Sequence, residues 1–404
     1  MSEIGKVGVS EMEITASKKV QKMATSIFTE LAQKKREAIK NGIDVIDLSV
    51  GSPDMPPPDY VVDTLVKYSK DTTKYGYTLK GIDEFNQAVQ YFYKHRYHVE
   101  IHSEDEVLQL MGSQEGLSHL ATAIIDPGDY VLVPDPGYPI YEHSVIIAGG
   151  IVYPMPLLEQ NGFLPKLEEI PQEVLRKTKM MIISYPGNPT TALANKTFFE
   201  EVVAFAKKNK ILVIHDFAYS ELIWDGNQQI SFMSVEGAKE VGIELNSLSK
   251  TFNMAGCRIG YAVGNKEALS ILASFKSNID YGVFYPIQMA AVAALTADYS
   301  ILKEQVEEYE KRRDTLLSGL ERGGWKVSKS PATMFVWAKI PAGWTSRLFA
   351  FELIEKAGVA VVPGDAFGEQ GEGYVRMAIV QSSEKLAQAA ERIQTFLQQN
   401  EPSK

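Results

Sequence analysis

A lysine set among hydroxyls at the end of an apolar run is the feature of this chain that most suggests chemistry. Lys250 stands in Ser247-Leu248-Ser249-Lys250-Thr251-Phe252, just past a predicted strand over 243–248, and Gly256-Cys257-Arg258-Ile259-Gly260 follows. Lysine condenses with aldehydes as a Schiff base once its pKa is lowered enough to free the amine. The hydroxyls, Ser247 among them, and the nearby Arg258 could hold a phosphate by hydrogen bonds and a charge-assisted fork. Taken alone, the run also reads as a solvated lysine after a strand.

Other stretches could complete such a site. Asp216, in Ile214-His215-Asp216-Phe217-Ala218-Tyr219, directly follows an apolar strand. A carboxylate there can keep a pyridine nitrogen protonated and make the ring an electron sink, with Tyr219 able to reach a phenolic oxygen; the plainer reading is a helix N-cap aspartate. Asn188, in Pro186-Gly187-Asn188-Pro189-Thr190, could donate its amide to the same oxygen or simply open a turn. Ser113 and Gln114 follow Gly112 at a predicted helix start, where backbone amides bind phosphate; a capped helix start is the alternative. Tyr138, in the proline-fixed run Pro136-Gly137-Tyr138-Pro139, could stack on a flat ring or pack on its neighbours in a surface turn. Arg376, between Val375 and Met377, calls for a carboxylate from the protein or from a substrate.

The elements that must position these residues alternate. Strands are expected over 45–50, 130–133, 179–184, 211–215 and 243–248, with helices over 26–40, 112–125 and 197–208. Near-continuous apolar strands between helices indicate a mostly parallel sheet covered on both faces, and such sheets place chemistry past the carboxyl ends of their strands. The end of the chain is different: a long helix over 301–322, strands over 334–337 and 374–379, and helices over 349–357 and 383–398 make an α+β pattern. The proline-rich turn Gly51-Ser52-Pro53-Asp54-Met55-Pro56-Pro57-Pro58 is a stiff crossing point. The expected division is therefore a large domain over 52–296 and a small one formed by 1–51 and 297–404, with the first dozen residues as a flexible arm.

Composition narrows the function classes. At 404 residues two domains are expected. The net charge of -10 without a basic run argues against nucleic acid or an anionic membrane as partner. A single cysteine, Cys257, excludes an intrachain disulfide and makes a cysteine metal site improbable; it is expected to pack as a small apolar residue. No metal is expected, since His95, His98 and His102 lack a recognisable ligand spacing. No apolar run is long enough to span a bilayer, and the N-terminus lacks the apolar core of a secretory signal, so the cytoplasm is expected. His119 reads as a packed residue, and His215 as a residue orienting Asp216.

Together, in this order and spacing, these stretches resemble the class I and II aminotransferases, fold type I pyridoxal-phosphate enzymes, from about Val45 to the C-terminus. The run Lys276-Ser277-Asn278-Ile279-Asp280-Tyr281-Gly282-Val283-Phe284 turns the resemblance toward the branch of bacterial alanine and LL-diaminopimelate aminotransferases. The resemblance implies pyridoxal 5'-phosphate held on Lys250, which also shuttles the proton. Asp216 would lie at the pyridine nitrogen, Tyr219 and Asn188 at the ring oxygen, Tyr138 against the ring, and Ser113, Gln114, Ser247 and Arg258 at the phosphate. Arg376 would clamp the substrate α-carboxylate with Asn188 and the backbone of Gly51. It further implies transfer of an amino group between an amino acid, alanine or a relative of it, and a 2-oxo acid such as 2-oxoglutarate, in a homodimer with shared sites.

Two positions depart from the family pattern. Thr191 stands where the family often has glycine after Asn-Pro-Thr, with no evident chemical role. The tyrosine that reaches the neighbouring subunit's phosphate lies five residues before the glycine that is here Gly81; this chain has Tyr75 and Tyr77 instead, and Gly76-Tyr77-Thr78 fits the local pattern better. A carbon–sulfur lyase would share Lys250 and Asp216, and a non-enzymatic regulator could use the same fold.

Overall fold

A computed structural model of the protein describes residues 14–23, 27–78 and 80–400; the expected N-terminal arm and Ser26 lie outside the described residues. The strands in chain order are β1 (Ile46–Asp47), β2 (Val107–Leu110), β3 (Tyr130–Asp135), β4 (Ile151–Pro156), β5 (Thr178–Ser184), β6 (Leu212–Asp216), β7 (Gly242–Ser247), β8 (Gly260–Gly264), β9 (Phe335–Lys339), β10 (Val359–Ala360), β11 (Val362–Pro363) and β12 (Tyr374–Ala378). The helices used below are α1 (Ile27–Lys40), α2 (Ser113–Ile124), α3 (Lys196–Asn209), α4 (Lys266–Lys276), α5 (Ser300–Arg322) and α6 (Ser383–Gln399).

Seven strands form one sheet in the order β2-β8-β7-β6-β5-β3-β4. Within it β4, β3, β5, β6 and β7 run parallel, and β8 runs against both its neighbours. The apolar runs alternate between two cores, as the period of a strand requires. Val131, Met180, Ile182, Ile214 and Leu245 pack with Leu117 and Leu120 of α2 and Leu272 of α4. Leu132, Met181, Ile183 and Val213 pack on the other side with Phe199 and Val202 of α3. Helix α3 starts where the Asn195 side chain accepts the Phe198 amide, a standard N-cap that satisfies an otherwise unpaired donor.

A second, antiparallel sheet has the order β11-β12-β9. Beside it β1 pairs in parallel with β10, so the N-terminal segment joins the C-terminal third of the chain. The expected strand over 45–50 is thus only two residues long: past Leu48, whose amide bonds Ala360, the chain turns away toward the cavity described below. Helices α5 and α6 meet closely, because a Cβ on Gly319 would fall 2.5 Å from that of Ala390. The expected helix over 349–357 begins earlier, at Ser346, where Thr345 caps the Leu348 amide, and runs on as a wider turn over Leu353–Ala357.

Helix α5 links the two regions. Arg312 reaches Asp54 of the proline-rich turn at 2.8 Å. Arg313, fully buried, bonds Asp225 beyond β6 at 2.5 and 3.0 Å. The Gln305 amide donates to the Lys250 carbonyl at 2.7 Å. Among the described residues no helix is long and apolar enough to cross a membrane.

Candidate active site

At the carboxyl ends of β5, β6 and β7 the chain encloses a cavity of about 440 Å³. It gathers Gly51, Ser113, Gln114, Tyr138, Asn188, Asp216, Tyr219, Ser247, Lys250, Arg258 and Arg376. Every site residue expected from the sequence is there except Tyr77. That ring is 82% exposed and lies against Tyr281, their centroids 5.0 Å apart; Tyr75 likewise packs on Phe284 and donates its hydroxyl to the Ser69 carbonyl.

Lys250 follows β7 in a short helical turn capped by Ser247, whose hydroxyl accepts the Ser249 amide. Its Nζ donates to the Gly51 carbonyl at 2.7 Å. A Cβ at Gly51 would lie 2.5 Å from the Phe335 ring, so a side chain there would displace that ring. Burial, then the charges of Arg376 and Arg258, lowers the Lys250 pKa to about 8, so a useful fraction of the amine is free near neutral pH.

Asp216 ends β6 on the cavity face. Its Oδ2 accepts the Tyr141 hydroxyl at 2.7 Å and its Oδ1 the Ala218 amide at 3.2 Å. Burial pushes its carboxyl above the usual range, against those two donors and the charge of His215. A cation placed beside it would favour the ionised form. Tyr219 stands on the same loop, its ring edge-on to Phe335 and its hydroxyl pushed up by burial.

Arg376 reaches the cavity from β12. It is 4% exposed and lies over the rings of Phe335 and Phe367, at 4.1 and 4.8 Å. Its Nη1 donates to Asn188 Oδ1 at 2.8 Å and its Nη2 to the Ser49 carbonyl at 3.2 Å, while the buried Nε has no partner. Among the described residues no carboxylate forms an ion pair with it, and burial lowers its pKa to about 10. A buried guanidinium without an anion is costly, so the position suits an anionic ligand. The alternative that Arg376 answers a protein carboxylate has no partner for it among the described residues.

The residues also fit a phosphorylated ring. Gly112, at φ 85°, precedes α2, and a Cβ there would fall 2.7 Å from Arg258 Nη2. The guanidinium therefore rests on the start of α2, beside Ser113 and Gln114, where unpaired amides and a cation together suit phosphate. The ring would then extend toward Asp216, with Tyr138 and Tyr219 in the same cavity.

Several contributors were not foreseen. Tyr141, Ser49, Phe335 and Phe367 carry no sequence signal of their own, and Phe28, Leu31 and Lys35 line the cavity from α1. The expectation that His215 orients Asp216 is not met by a direct contact: no hydrogen bond joins them, because neighbouring residues of a strand face opposite sides, and His215 bonds Glu244 and the Tyr185 carbonyl. Thr191 gains a physical reading, since its φ of 61° is the left-handed conformation that glycine adopts without cost. His119 packs edge-on against Phe275, near Glu115 and Asp280, outside the cavity. Cys257 is half-buried, its thiol pushed up by burial.

Comparison with known proteins agrees with this geometry. The family model for aminotransferase class I and II matches residues 43–393. The LL-diaminopimelate aminotransferase of Moorella thermoacetica is 44% identical over 382 residues, spanning 94% of this chain and 98% of that protein. That of Halothermothrix orenii is 43% identical, spanning 93% and 97%. Among solved structures, substrate-bound BacF from Bacillus subtilis superposes with a TM-score of 0.92 at 40% identity, covering 97% of this chain and 99% of that one. The chain belongs to the class I and II aminotransferases, and it is a pyridoxal-phosphate-dependent transaminase.

The Lys250 environment predicts a pH effect on stability. An ordinary lysine titrates near 10.5, and here the folded value is about 8. Between these values the unfolded chain binds more protons, so stability without cofactor rises with pH through that window. Below pH 8 the penalty is fully present; above 10.5 it vanishes. Lys250→Met should therefore stabilise the cofactor-free protein by about 1–3 kcal/mol at pH 7 and much less at pH 10.5, as measured by urea unfolding at both.

Proposed function

We propose that this transaminase moves an amino group between an α-amino acid, alanine or a relative of it, and 2-oxoglutarate, with the cavity residues in the following roles. The observation that carries the reading is the convergence of Lys250 and Arg376 on one cavity, the lysine with a lowered pKa and the arginine with no protein carboxylate. Pyridoxal phosphate supplies, when bound, an aldehyde that condenses with amines and a protonated ring that accepts the electron pair left at the substrate α-carbon.

The chain's own residues do the rest. Arg258, Ser113, Gln114 and Ser247 hold the phosphate, Asp216 holds the ring nitrogen, Tyr219 and Asn188 serve the ring oxygen, and Tyr138 stacks on the ring. Lys250 would bind the cofactor and, once free, would take the α-proton on Nζ as general base and then, as general acid, pass it on to the carbon that was the cofactor's aldehyde. The Arg376 fork, steadied by Asn188 and two phenylalanine faces, receives the substrate carboxylate, and the Gly51 carbonyl keeps Lys250 beside it. Of the lining residues from α1, Phe28 and Leu31 are apolar and Lys35 is held by Asp47 at 2.6 Å, which supports a donor with an uncharged side chain.

The proposal includes a large domain over 52–296, a small one from 1–51 and 297–404, and a cytoplasmic setting, for which the single cysteine is the support. It also includes a homodimer in which Tyr77 reaches the partner's phosphate. Tyr77, Tyr281 and Ile279 form an exposed apolar surface, of the kind that marks an interface.

Three outcomes follow. With 2-oxoglutarate as acceptor, a panel of donors including alanine, an aromatic amino acid and LL-diaminopimelate should yield glutamate most rapidly from an uncharged donor. Borohydride should fix the cofactor on Lys250; absence of glutamate from every donor, with the adduct present, would overturn the transfer reading. Arg376→Lys keeps the charge but loses the fork, and should lower kcat/KM by about tenfold to a hundredfold, through KM, for the loss of roughly 1.5–3 kcal/mol; an unchanged KM with a lower melting point would mean that Arg376 only joins the two regions. Finally, mixing Lys250→Ala subunits with Tyr77→Phe subunits should restore activity above that of either alone, because one site of each mixed dimer regains a wild-type Tyr77. No recovery in a mixture shown by sedimentation to be dimeric would place Tyr77 in its own subunit's site or in none.

A further inference from the structure

Behind Asp216, on the other side of the sheet, lies a buried polar cluster that the transfer chemistry does not use. His215 and Glu244 are register partners on β6 and β7, and neither side chain is exposed at all. Glu244 receives three donors, the Tyr93 and Ser231 hydroxyls at 2.8 and 2.7 Å on Oε1 and the Phe232 amide at 2.7 Å on Oε2, and the same Oε2 lies 2.8 Å from His215 Nδ1. Three hydrogen bonds donated to one carboxyl favour its ionised form. The second nitrogen of His215, Nε2, lies 3.0 Å from the Tyr185 carbonyl, which only accepts. With the carboxyl ionised both nitrogens face acceptors, and the ring then satisfies its contacts when each nitrogen carries a proton. The rings of Phe199, Phe217 and Phe232 surround it, with centroids 5.1, 5.0 and 6.1 Å away, and aromatic faces favour a cation.

The connections of this histidine explain what the cluster can do. Tyr185 follows β5 directly and leads through Pro186 and Gly187 to Asn188. Glu244 lies on β7, three residues before Ser247 and six before Lys250. His215 itself immediately precedes Asp216. One imidazole thus ties together the ends of the three strands from which four cavity residues emerge, and it brings a positive charge close behind the carboxylate that must stay ionised.

We propose that His215 is a positioning residue for cofactor binding, a buried imidazolium paired with Glu244 that sets the relative places of Asn188, Asp216 and Lys250 and favours the charged form of Asp216. The proposal rests on the role given above to Asp216. A cluster kept only for core stability would need no positive charge at this position, and substitution by a neutral side chain of similar size would leave the cavity alone once the protein had folded.

The test begins with the unaltered holoenzyme. Nitrogen-15 NMR of histidine-labelled protein should give, for the His215 ring, two protonated nitrogens at neutral pH; a single protonated nitrogen would overturn the proposal without any variant having to fold. His215→Gln and Glu244→Gln should then raise the pyridoxal-phosphate dissociation constant on the order of tenfold or more, the scale of losing an outer partner of a bound group, and shift the absorption maximum of the bound cofactor. Tyr93→Phe, which removes one donor from Glu244 and leaves the histidine in place, should do neither. If His215→Gln lowers the melting temperature while cofactor affinity and absorption maximum stay at wild-type values, the cluster is structural only and the proposal fails. Asp216→Asn serves as the separate check: if it too leaves cofactor affinity unchanged, the fault lies in the role of Asp216 and not in that of His215.

Discussion

Unbalanced positive charge is the constraint around which this site is organised. Lys250, Arg258 and Arg376 face a cavity whose only acidic lining residue among those described is Asp216. Arg376 is almost fully buried with an unpaired Nε, and cations removed from water without an anion destabilise a fold. In the proposed reading the missing negative charge arrives with the ligands, as a phosphate and a carboxylate.

Two kinds of scaffold supply these charges. The parallel strands deliver Asn188, Asp216 and the Ser247–Lys250 turn side by side, since strands in one register end at one level. The antiparallel sheet delivers Arg376, and the N-terminal segment delivers Ser49 and Gly51. Helix α5 joins the two through Arg312, Arg313 and the Gln305 bond to the Lys250 carbonyl. Arg376 is thus placed relative to Lys250 by packing between regions distant in sequence. The Lys250–Gly51 hydrogen bond, between residues 199 positions apart, is the most direct expression of that dependence.

The small backbone details serve the same end. Gly51 allows the chain to pass beneath Phe335, and Gly112 allows Arg258 to lie on the start of α2. Thr191 accepts a left-handed φ in the loop that carries Asn188, a conformation that costs a side chain on the order of 1 kcal/mol. Such strain is held in place by the surrounding packing, with the Thr191 amide bonded to the Gly187 carbonyl at 2.8 Å.

Much of this was readable along the chain because local rules govern it. The period of the apolar residues marks β3, β5, β6, β7 and the helices α2, α3, α5 and α6 to within a residue or two, and residue chemistry at strand ends singles out Asn188, Asp216, Lys250 and Arg376. The antiparallel β8 and edge strand β2 escaped notice, being short and lacking a hairpin signal, and β1 shrank because its pairing with β10 depends on a segment some 300 residues away. Tyr141, Phe335 and Phe367 are ordinary aromatic residues until tertiary contacts set them against Asp216 and Arg376. His215 shows the division most clearly: its adjacency to Asp216 is a fact of sequence, but the pleat of β6 sends the two side chains to opposite faces. Which groups are available, and on which elements they stand, follows from the order of residues, because periodicity and side-chain chemistry are local. The tertiary structure alone decided which of them meet, which are left without a partner, and hence where ligand charge is needed, because those outcomes depend on burial and on contacts between distant parts of the chain.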